Sequence, residues 1–345
     1  MNPTILIVIL SSLATGTIIT MTSYHWLFAW IGLEINTLAI VPTIATLHNP
    51  RSTEAATKYF LTQAAASAMI LFSSTINAWQ MGTWDIMNLS STPAHILLTL
   101  ALAMKLGLAP MHFWLPEVLQ GSTLTTALII STWQKLAPLT LIYLTINNLS
   151  SSTLIILGLL SAIVGGWGGL NQTQTRKIMA YSSIAHLGWM LTISSIMTNV
   201  MILNLVLYLT MTMALFCFLI MTQSKTIQDT TTSWTLSPML TIMMLTLLLS
   251  LGGLPPLTGF VPKWLILEEL IIQNLILTAV IMTLATLLSL FFYLRLTYTT
   301  ALTLSPHMMQ TKFKWRFKSA LPSLSTMPLL SLSILFLPMT PLILL

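Results

Sequence analysis

Long apolar runs follow one another along almost the whole chain, and short polar connections separate them. A helix needs about 20 mostly apolar residues to cross the hydrocarbon core of a bilayer. Only 6% of the 345 residues are charged, 55% are hydrophobic, and the mean hydropathy is +0.88. Soluble domains have far more polar compositions. The sequence therefore predicts an integral membrane protein with no room for a separate soluble domain.

The apolar runs predict an all-α polytopic membrane protein that forms one membrane domain over residues 1–345. It has about eleven transmembrane helices. The predicted spans are at about 3–20, 25–45, 57–78, 94–109 with a continuation to 118, 123–145, 152–170, 178–197, 200–222, 237–254 with a continuation to 271, 275–299, and 321–343.

The basic residues indicate the topology. Ten of the 13 Lys and Arg residues lie in or near the loops that follow even-numbered spans. They are Arg51, Lys58, Arg176, Lys177, Lys225, Arg295, Lys312, Lys314, Arg316 and Lys318. Positively charged loops stay on the side of insertion, so the N-terminus is predicted on that side. Scattered charges of this kind form no basic patch for nucleic acid.

Cysteine usage and the first segment set further expectations. The single cysteine, Cys217, excludes an intrachain disulfide and an iron–sulfur cluster held by this chain alone. The first apolar run has no basic region before it and no small-residue cleavage site, so we expect it to remain in the mature protein.

Four charged residues fall inside predicted spans or at a break in one: Glu34, Lys105, Lys135 and Lys263. An ionisable side chain at the centre of a membrane helix costs about 2.5–3.5 kcal/mol on insertion scales. Such residues usually mark an ion path, so these four are the candidate functional residues.

Two of the predicted spans are interrupted in the same way. Pro110 and Pro116 are six residues apart in the first, and Pro256 and Pro262 are six apart in the second. Proline breaks or kinks a helix. Irregular backbone survives at membrane depth only inside protein or beside a water-filled cavity. Paired broken helices in two halves of a chain are typical of transporters.

Several sequence blocks carry a resemblance to a known family. They are NPRSTEAATKYF at 49–60, MKLGLAP at 104–110, HFWLPE at 112–117, WGGLNQTQ at 167–174, RKIMAYSSIAH at 176–186 and LGGLPPLTGF at 251–260. These blocks resemble the antiporter-like membrane-arm subunits of mitochondrial NADH–ubiquinone oxidoreductase, the proton-pumping respiratory complex I. Those subunits are similar to subunits of cation/proton antiporters.

The resemblance implies inverted five-helix repeats with two broken helices. The first repeat would cover about 1–145 and the second about 152–299, and a basic loop and last helix would cover about 300–345. The family usually has fourteen helices, and its animal form resembles a version that lacks the first three. The eleven helices of that form agree with the eleven transmembrane helices predicted for this chain.

The resemblance also implies a function and four site residues. In the family, a Glu pairs with a Lys on the first broken helix, a second Lys follows on the next helix, and a Lys or Glu lies on the second broken helix. The matching positions are Glu34, Lys105, Lys135 and Lys263. The implied function is proton translocation across the mitochondrial inner membrane, driven by electron transfer from NADH to ubiquinone in other subunits.

The implied surroundings follow from the same resemblance. NADH, FMN, iron–sulfur clusters and ubiquinone would bind to other subunits, and this chain would hold no cofactor or metal. The neighbours would be membrane-arm subunits including chain 4, nuclear-encoded accessory subunits and membrane lipids. The N-terminus would face the matrix. The basic segment 312–318 is a topology signal, and cardiolipin is a possible ligand for it.

Lysine suits a proton relay because an apolar environment makes it release its proton, whereas Arg stays charged. His112 in the first break and His186 are further relay candidates, since imidazole both donates and accepts protons near neutral pH. Simpler interpretations stay open: a static ion pair of Glu34 with Lys105, a Lys263 side chain that reaches toward the surface, and histidines that only pack. Stand-alone antiport and a purely structural role are the alternative functions.

Overall fold

The computed structural model describes residues 3–236 and 238–302, together with residues 338, 340 and 341. These residues form fourteen α-helices and two short 3₁₀-helices, and no β-strand occurs among them. The all-α prediction is confirmed. The chain divides into two compact units, Met1–Ser161 and Ala162–Leu345. Apart from residues 338, 340 and 341, the predicted last span at 321–343 lies outside the described residues, as does the whole basic segment 312–318.

The first unit contains seven helices and most of an eighth. They are α1 (Pro3–Thr22), α2 (Trp26–Ile44), α3 (Pro50–Met81), α4 (Thr92–Leu106), α5 (Trp114–Gly121), α6 (Leu124–Ser131), α7 (Leu136–Thr145) and the start of α8 (Ser151–Gly169). The 3₁₀-helices are Ala45–Leu47 and Trp133–Lys135.

Local sequence explains where these helices begin and how closely they pack. Helix α3 begins at Pro50 after a capping box, in which Asn49 and Ser52 satisfy each other's backbone N–H groups.

Helices α1 and α2 cross where Gly16 and Gly32 meet. A Cβ on Gly32 would lie 2.7 Å from the carbonyl oxygen of Gly16. Only glycine permits this separation, as at small-residue crossings of membrane helices.

The predicted span at 123–145 is present as Leu124–Thr145, but a 3₁₀ turn interrupts it at Trp133–Lys135. Proline explains the interruption, which the sequence analysis did not predict. Pro138 has no N–H to donate to the carbonyl of Gln134, and its ring clashes with that carbonyl in a regular helix. The backbone forms a 3₁₀ turn there in place of an α-helical turn, and Lys135 is the last residue of that turn.

The second unit contains the end of α8 and six further helices. They are α9 (Thr175–Ser194), α10 (Thr198–Thr222), α11 (Ile227–Leu236), α12 (Pro238–Gly252), α13 (Phe260–Ile272) and α14 (Ile276–Leu302). The glycines at the end of α8 permit close packing. A Cβ on Gly165 would lie 2.6 Å from the backbone nitrogen of Ala185 in α9, and one on Gly166 would lie 2.9 Å from Cβ of Leu288 in α14.

Seven helices among the described residues are long and apolar enough to cross a membrane, namely α1, α2, α3, α8, α10, α14 and the combined Leu124–Thr145 segment, and α4 and α12 are shorter apolar helices. The polytopic membrane class is thus confirmed, whereas the count of eleven stays a prediction. Helix α11 was not predicted as a separate element. Asp229 holds its start by accepting hydrogen bonds from the backbone N–H groups of Lys225 and Thr226 at 2.9 and 2.8 Å.

Candidate functional site

Glu34 lies near the middle of α2 and is partly buried. One of its carboxylate oxygens, Oε2, is fully buried and has no hydrogen-bond partner among the described residues. The charge of the carboxylate acts on two neighbours in the same unit, the amine of Lys105 and the phenol of Tyr59. Glu34 is thus partly removed from solvent and lies within electrostatic reach of the amine of Lys105.

Lys105 lies in the last turn of α4, and only 6% of its surface is exposed. Its Nζ atom also has no hydrogen-bond partner in the described part of the chain. The described residues contain two ion pairs within 4 Å, both made by Lys58, so Glu34 and Lys105 are not in direct contact. Both groups therefore lie inside the first unit, but they are not in contact with each other.

The first helix break follows Lys105 directly. Gly107 has a φ of 78°, a left-handed conformation that favours glycine, and it ends α4. The N–H of Leu108 donates to the carbonyl of Ala103 at 2.9 Å, and that of Gly107 donates to Met104 at 3.2 Å, which is a Schellman motif. The indole N–H of Trp114 in α5 donates to the same Met104 carbonyl at 3.1 Å.

His112 is buried within this break. Its Nδ1 lies 3.2 Å from the carbonyl oxygen of Pro110, so that nitrogen carries a proton when the contact is a hydrogen bond. The ring packs against Phe113, with 4.2 Å between the ring centres. His112 is thus placed in the same broken segment that follows Lys105.

Lys135 is 3% exposed and lies at the end of the 3₁₀ turn between α6 and α7. The preceding residue, Gln134, donates from Nε2 to the backbone carbonyl of Asn36 in α2 at 3.3 Å. Because Asn36 is two residues beyond Glu34, this bond ties the segment that carries Lys135 to the helix that carries the carboxylate. The first unit therefore holds three of the four predicted charged residues.

Lys263 lies in the first turns of α13, in the second unit, and folds back on the end of α12. Its Nζ donates to the carbonyl oxygens of Gly252 and Leu251, at 2.9 and 3.3 Å. Those carbonyls belong to the last turn of α12, which has no helical partners for them. The amine therefore faces a helix end, and Glu268 and Glu269 form no ion pair with it among the described residues.

The second break has the same construction as the first. Gly253 has a φ of 82° and ends α12. The N–H of Leu254 donates to Leu249, at 3.4 Å, and that of Gly253 donates to Ser250, at 2.9 Å. A Cβ on Gly253 would lie 2.8 Å from Nζ of Lys263. A glycine is needed here both for the turn and for the approach of the amine.

His186 lies in α9, also in the second unit, and is 9% exposed. Its ring packs against Tyr208 of α10, with 5.5 Å between the ring centres. His186, Tyr208, Asn204 and Lys263 line one small cavity. Asn204 and Tyr208 were not predicted from the sequence, because an uncharged polar residue inside an apolar run gives no signal of its own.

A charged cluster at the start of α3 was also missed. Lys58 Nζ is hydrogen-bonded to carboxylates of both Glu54 and Glu117. Glu54 and Lys58 are four residues apart on one helix, whereas Glu117 is distant in the sequence, so only the structure shows that the three side chains meet. The side chains are 40–61% exposed. Exposed ion pairs of this kind contribute little stability, because water and salt screen the charges.

The part of the chain that the structure describes contains no group of three or more His, Cys, Asp or Glu residues that could hold a metal ion. The six predicted site residues comprise one carboxylate, three amines and two imidazoles. All six can carry a proton, and none forms part of a metal cluster. A helical membrane bundle with two broken helices and such groups defines the class of antiporter-like membrane subunits.

Comparisons with known proteins agree with this class. Residues 23–289 match the family described as NADH:quinone oxidoreductase/Mrp antiporter, TM, and residues 290–344 match the family described as NADH dehydrogenase subunit 2 C-terminus. The protein named NADH-ubiquinone oxidoreductase chain 2 of Squalus acanthias is 55% identical over 341 residues, which are 99% of this chain and 98% of that protein. The protein of the same name from Salmo salar is 56% identical over 341 residues, again 99% of this chain and 98% of that protein.

Solved structures show the same fold. A chain of respiratory complex I from Thermus thermophilus with bound aureothin is 26% identical, with a TM-score of 0.83, over 96% of this chain and 78% of that one. A chain of the Mrp complex from Dietzia is similar in fold alone, at 17% identity and a TM-score of 0.74, over 84% of this chain and 59% of that one. This chain therefore belongs to the NADH-ubiquinone oxidoreductase chain 2 family and is a membrane subunit of respiratory complex I.

Proposed function

We propose that this complex I subunit translocates protons by way of Glu34, Lys105, Lys135 and Lys263. One observation carries most of the argument. Glu34 Oε2 and Lys105 Nζ are both buried, and neither has a hydrogen-bond partner among the described residues. Buried polar atoms in folded proteins are almost always hydrogen-bonded, to protein or to ordered water. A water-accessible interior around these two groups accounts for both.

The alternative of a static ion pair fits the geometry less well. A buried ion pair offsets the cost of removing its charges from water only when the two groups are in contact and their other hydrogen bonds are satisfied. Glu34 and Lys105 lie more than 4 Å apart, given the ion pairs found in the described residues. A carboxylate at this distance still favours the protonated amine, and a small movement changes how strongly it does so.

Lys263 is held differently, by the carbonyl end of α12. The C-terminus of a helix carries about half a negative charge, which favours a cation there. The two carbonyl oxygens accept hydrogen bonds from either the ammonium or the neutral amine, since both forms retain N–H groups. The amine therefore keeps its position when it loses its proton, as a relay group must.

The proton is proposed to pass between these residues in the order in which they occur in the sequence. Weakening the interaction of Glu34 with Lys105 releases a proton from the ammonium to water, and the neutral amine of Lys135 takes up a proton from that water. A second transfer through water protonates Lys263. His112 and His186 are further candidate relay groups, and each would shorten the water chain that a proton has to cross.

The setting of the subunit is part of the same proposal. The subunit lies in the mitochondrial inner membrane with its N-terminus on the matrix side, following the distribution of basic residues. Its neighbours are membrane-arm subunits such as chain 4 and accessory subunits. NADH, FMN, iron–sulfur clusters and ubiquinone bind elsewhere in the complex. The basic segment 312–318 acts as a topology signal, and binding of cardiolipin is its alternative role.

Replacing Lys135 in the assembled complex tests the proposal. Lys135→Met keeps a long apolar side chain but cannot carry a proton. The number of protons pumped per NADH oxidised should fall while the complex still assembles. Lys225→Met is the matched control, because Lys225 is exposed and lies in a loop. An unchanged pumping ratio in an intact Lys135→Met complex would refute the relay and favour a scaffold.

A further inference from the structure

The small cavity of the second unit lies among α9, α10 and the start of α13. It holds about 10 Å³ of space, which is close to what one water molecule requires. Four polar side chains contribute to its wall, those of His186, Asn204, Tyr208 and Lys263. A water site needs two to four polar partners as well as room. The cavity meets both requirements.

Asn204 is the residue in this wall that the proposed relay leaves unexplained. It lies in α10 and is 4% exposed. Its side chain offers one acceptor and two donor groups. Among the described residues it makes no hydrogen bond with any other protein group, although it lines the cavity. An amide that borders a cavity of this size can bond to an ordered water there.

Tyr208 lies one turn beyond Asn204 on the same face of α10. It is fully buried, and its hydroxyl is hydrogen-bonded to Ser183 and Thr212. The phenol ring packs against His186. Tyr208 therefore holds the imidazole of His186 in position. Because its own hydroxyl is already hydrogen-bonded, the amide of Asn204 is the group on α10 that is available to a molecule in the cavity.

We propose that Asn204 holds one water molecule between His186 and Lys263, and so acts as a positioning residue for proton transfer to Lys263. The amide NH₂ donates to the water oxygen, and the amide carbonyl accepts one of its hydrogens. In the transfer step, protonated His186 gives its proton to the water while the water gives another proton to the neutral amine of Lys263. Water is regenerated, and Asn204 exchanges no proton. This inference rests on the proposed function of Lys263.

The test uses Asn204→Leu in the assembled complex, since leucine has a similar size but no polar atoms. Leu207→Met is the matched control, because Leu207 lines the same cavity and stays apolar. With Asn204→Leu, the rate of proton pumping through this subunit should fall by about a hundredfold, the lower end of what assistance to a proton transfer contributes. Asn204→Ser should restore most of it, because a hydroxyl leaves room for the water and still bonds to it.

A merely structural role gives a different result. In that case Asn204→Leu lowers the amount of assembled complex, while the complex that does assemble pumps normally and keeps its pH profile. That outcome would overturn the inference. If Asn204→Leu does not assemble, a map of the unaltered complex decides: density for a water bonded to Asn204 supports the inference, and a dry cavity refutes it.

Lys263→Met measured in parallel separates this inference from the proposed function. If Lys263→Met loses pumping while Asn204→Leu does not, the relay stands and the role of Asn204 is wrong. If neither variant loses pumping, the proposed relay itself is wrong.

Discussion

Gln134 reaches from the 3₁₀ turn between α6 and α7 to the backbone carbonyl of Asn36 in α2, with 3.3 Å from Nε2 to oxygen. The bond joins two segments that each carry a proposed relay group. It sets where Lys135 lies relative to Glu34, although Gln134 carries no proton itself.

Removing this bond should disturb proton transfer more than stability. Gln134→Leu loses a neutral hydrogen bond, which contributes about 0.5–1.5 kcal/mol. We expect an assembled complex with slower pumping, measured as proton uptake in reconstituted vesicles together with NADH oxidation. Gln228→Leu, at an exposed position in α11, is the control. Equal pumping in both variants would show that the tie has no role in transfer.

Replacing Lys263 with arginine tests whether this residue must release its proton or need only carry one. Lys263→Arg keeps donors for the carbonyls of Leu251 and Gly252, so the break should stay intact. Guanidinium does not lose its proton in proteins. The expected result is normal assembly with pumping lost, measured as protons moved per NADH oxidised. Lys225→Arg should pump normally. A Lys263→Arg complex that pumps at the normal ratio would limit the lysine to a structural role.

Two glycines provide a matched pair for testing the second break. Gly82 and Gly253 both have left-handed backbones, with φ of 72° and 82°, but open space surrounds Gly82 while Lys263 Nζ would lie 2.8 Å from a Cβ on Gly253. Alanine at either position costs about 1–2 kcal/mol of backbone strain. Gly253→Ala should also displace the amine and lower pumping. The comparison needs thermal stability and pumping of both complexes, and equal pumping would contradict this account.

Asp229 predicts a local pH dependence outside the spans. Partial burial opposes its ionisation, but the hydrogen bonds from Thr226 and Lys225 prevail and hold the pKa of Asp229 below its ordinary value. A lowered pKa in the folded state means that the stability contributed by this carboxylate is complete above the unfolded value of about 3.9 and is lost as the pH falls further. The protection of the amides of residues 225 and 226, measured as hydrogen exchange relative to the intrinsic rate at each pH, should therefore decrease below that pH.

Asp229→Asn provides the control for this pH dependence. Asparagine keeps an acceptor at the start of α11 but does not titrate in this range. The protection of the same two amides, relative to the intrinsic exchange rate, should then not change with acid. An acid response of equal size in both proteins would assign it to another group.

The sequence indicated the breaks and the charged residues because both leave strong local signals. Pro110, Pro116, Pro256 and Pro262 interrupt apolar runs, and a lysine such as Lys263 inside an apolar run is costly enough to stand out. Each of these signals comes from a few neighbouring residues in the sequence. It can be recognised without knowing which other helices the segment contacts in the fold.

Other features depend on which helices come together, and the sequence does not show that. The effect of Pro138 on the turn at Lys135 was missed, because a single proline is also tolerated in regular membrane helices. Asn204 and Gln134 are uncharged, and their importance comes from a cavity and from the carbonyl of Asn36. The close approach of Lys263 to Gly253 depends on how the chain folds back after α12.

The most direct test of the central claim is a high-resolution map of the assembled complex with ordered waters. The account predicts a hydrated, hydrogen-bonded path that joins Glu34, Lys105, Lys135 and Lys263. Tightly packed hydrocarbon between any two of these groups, in every state of the enzyme, would contradict it.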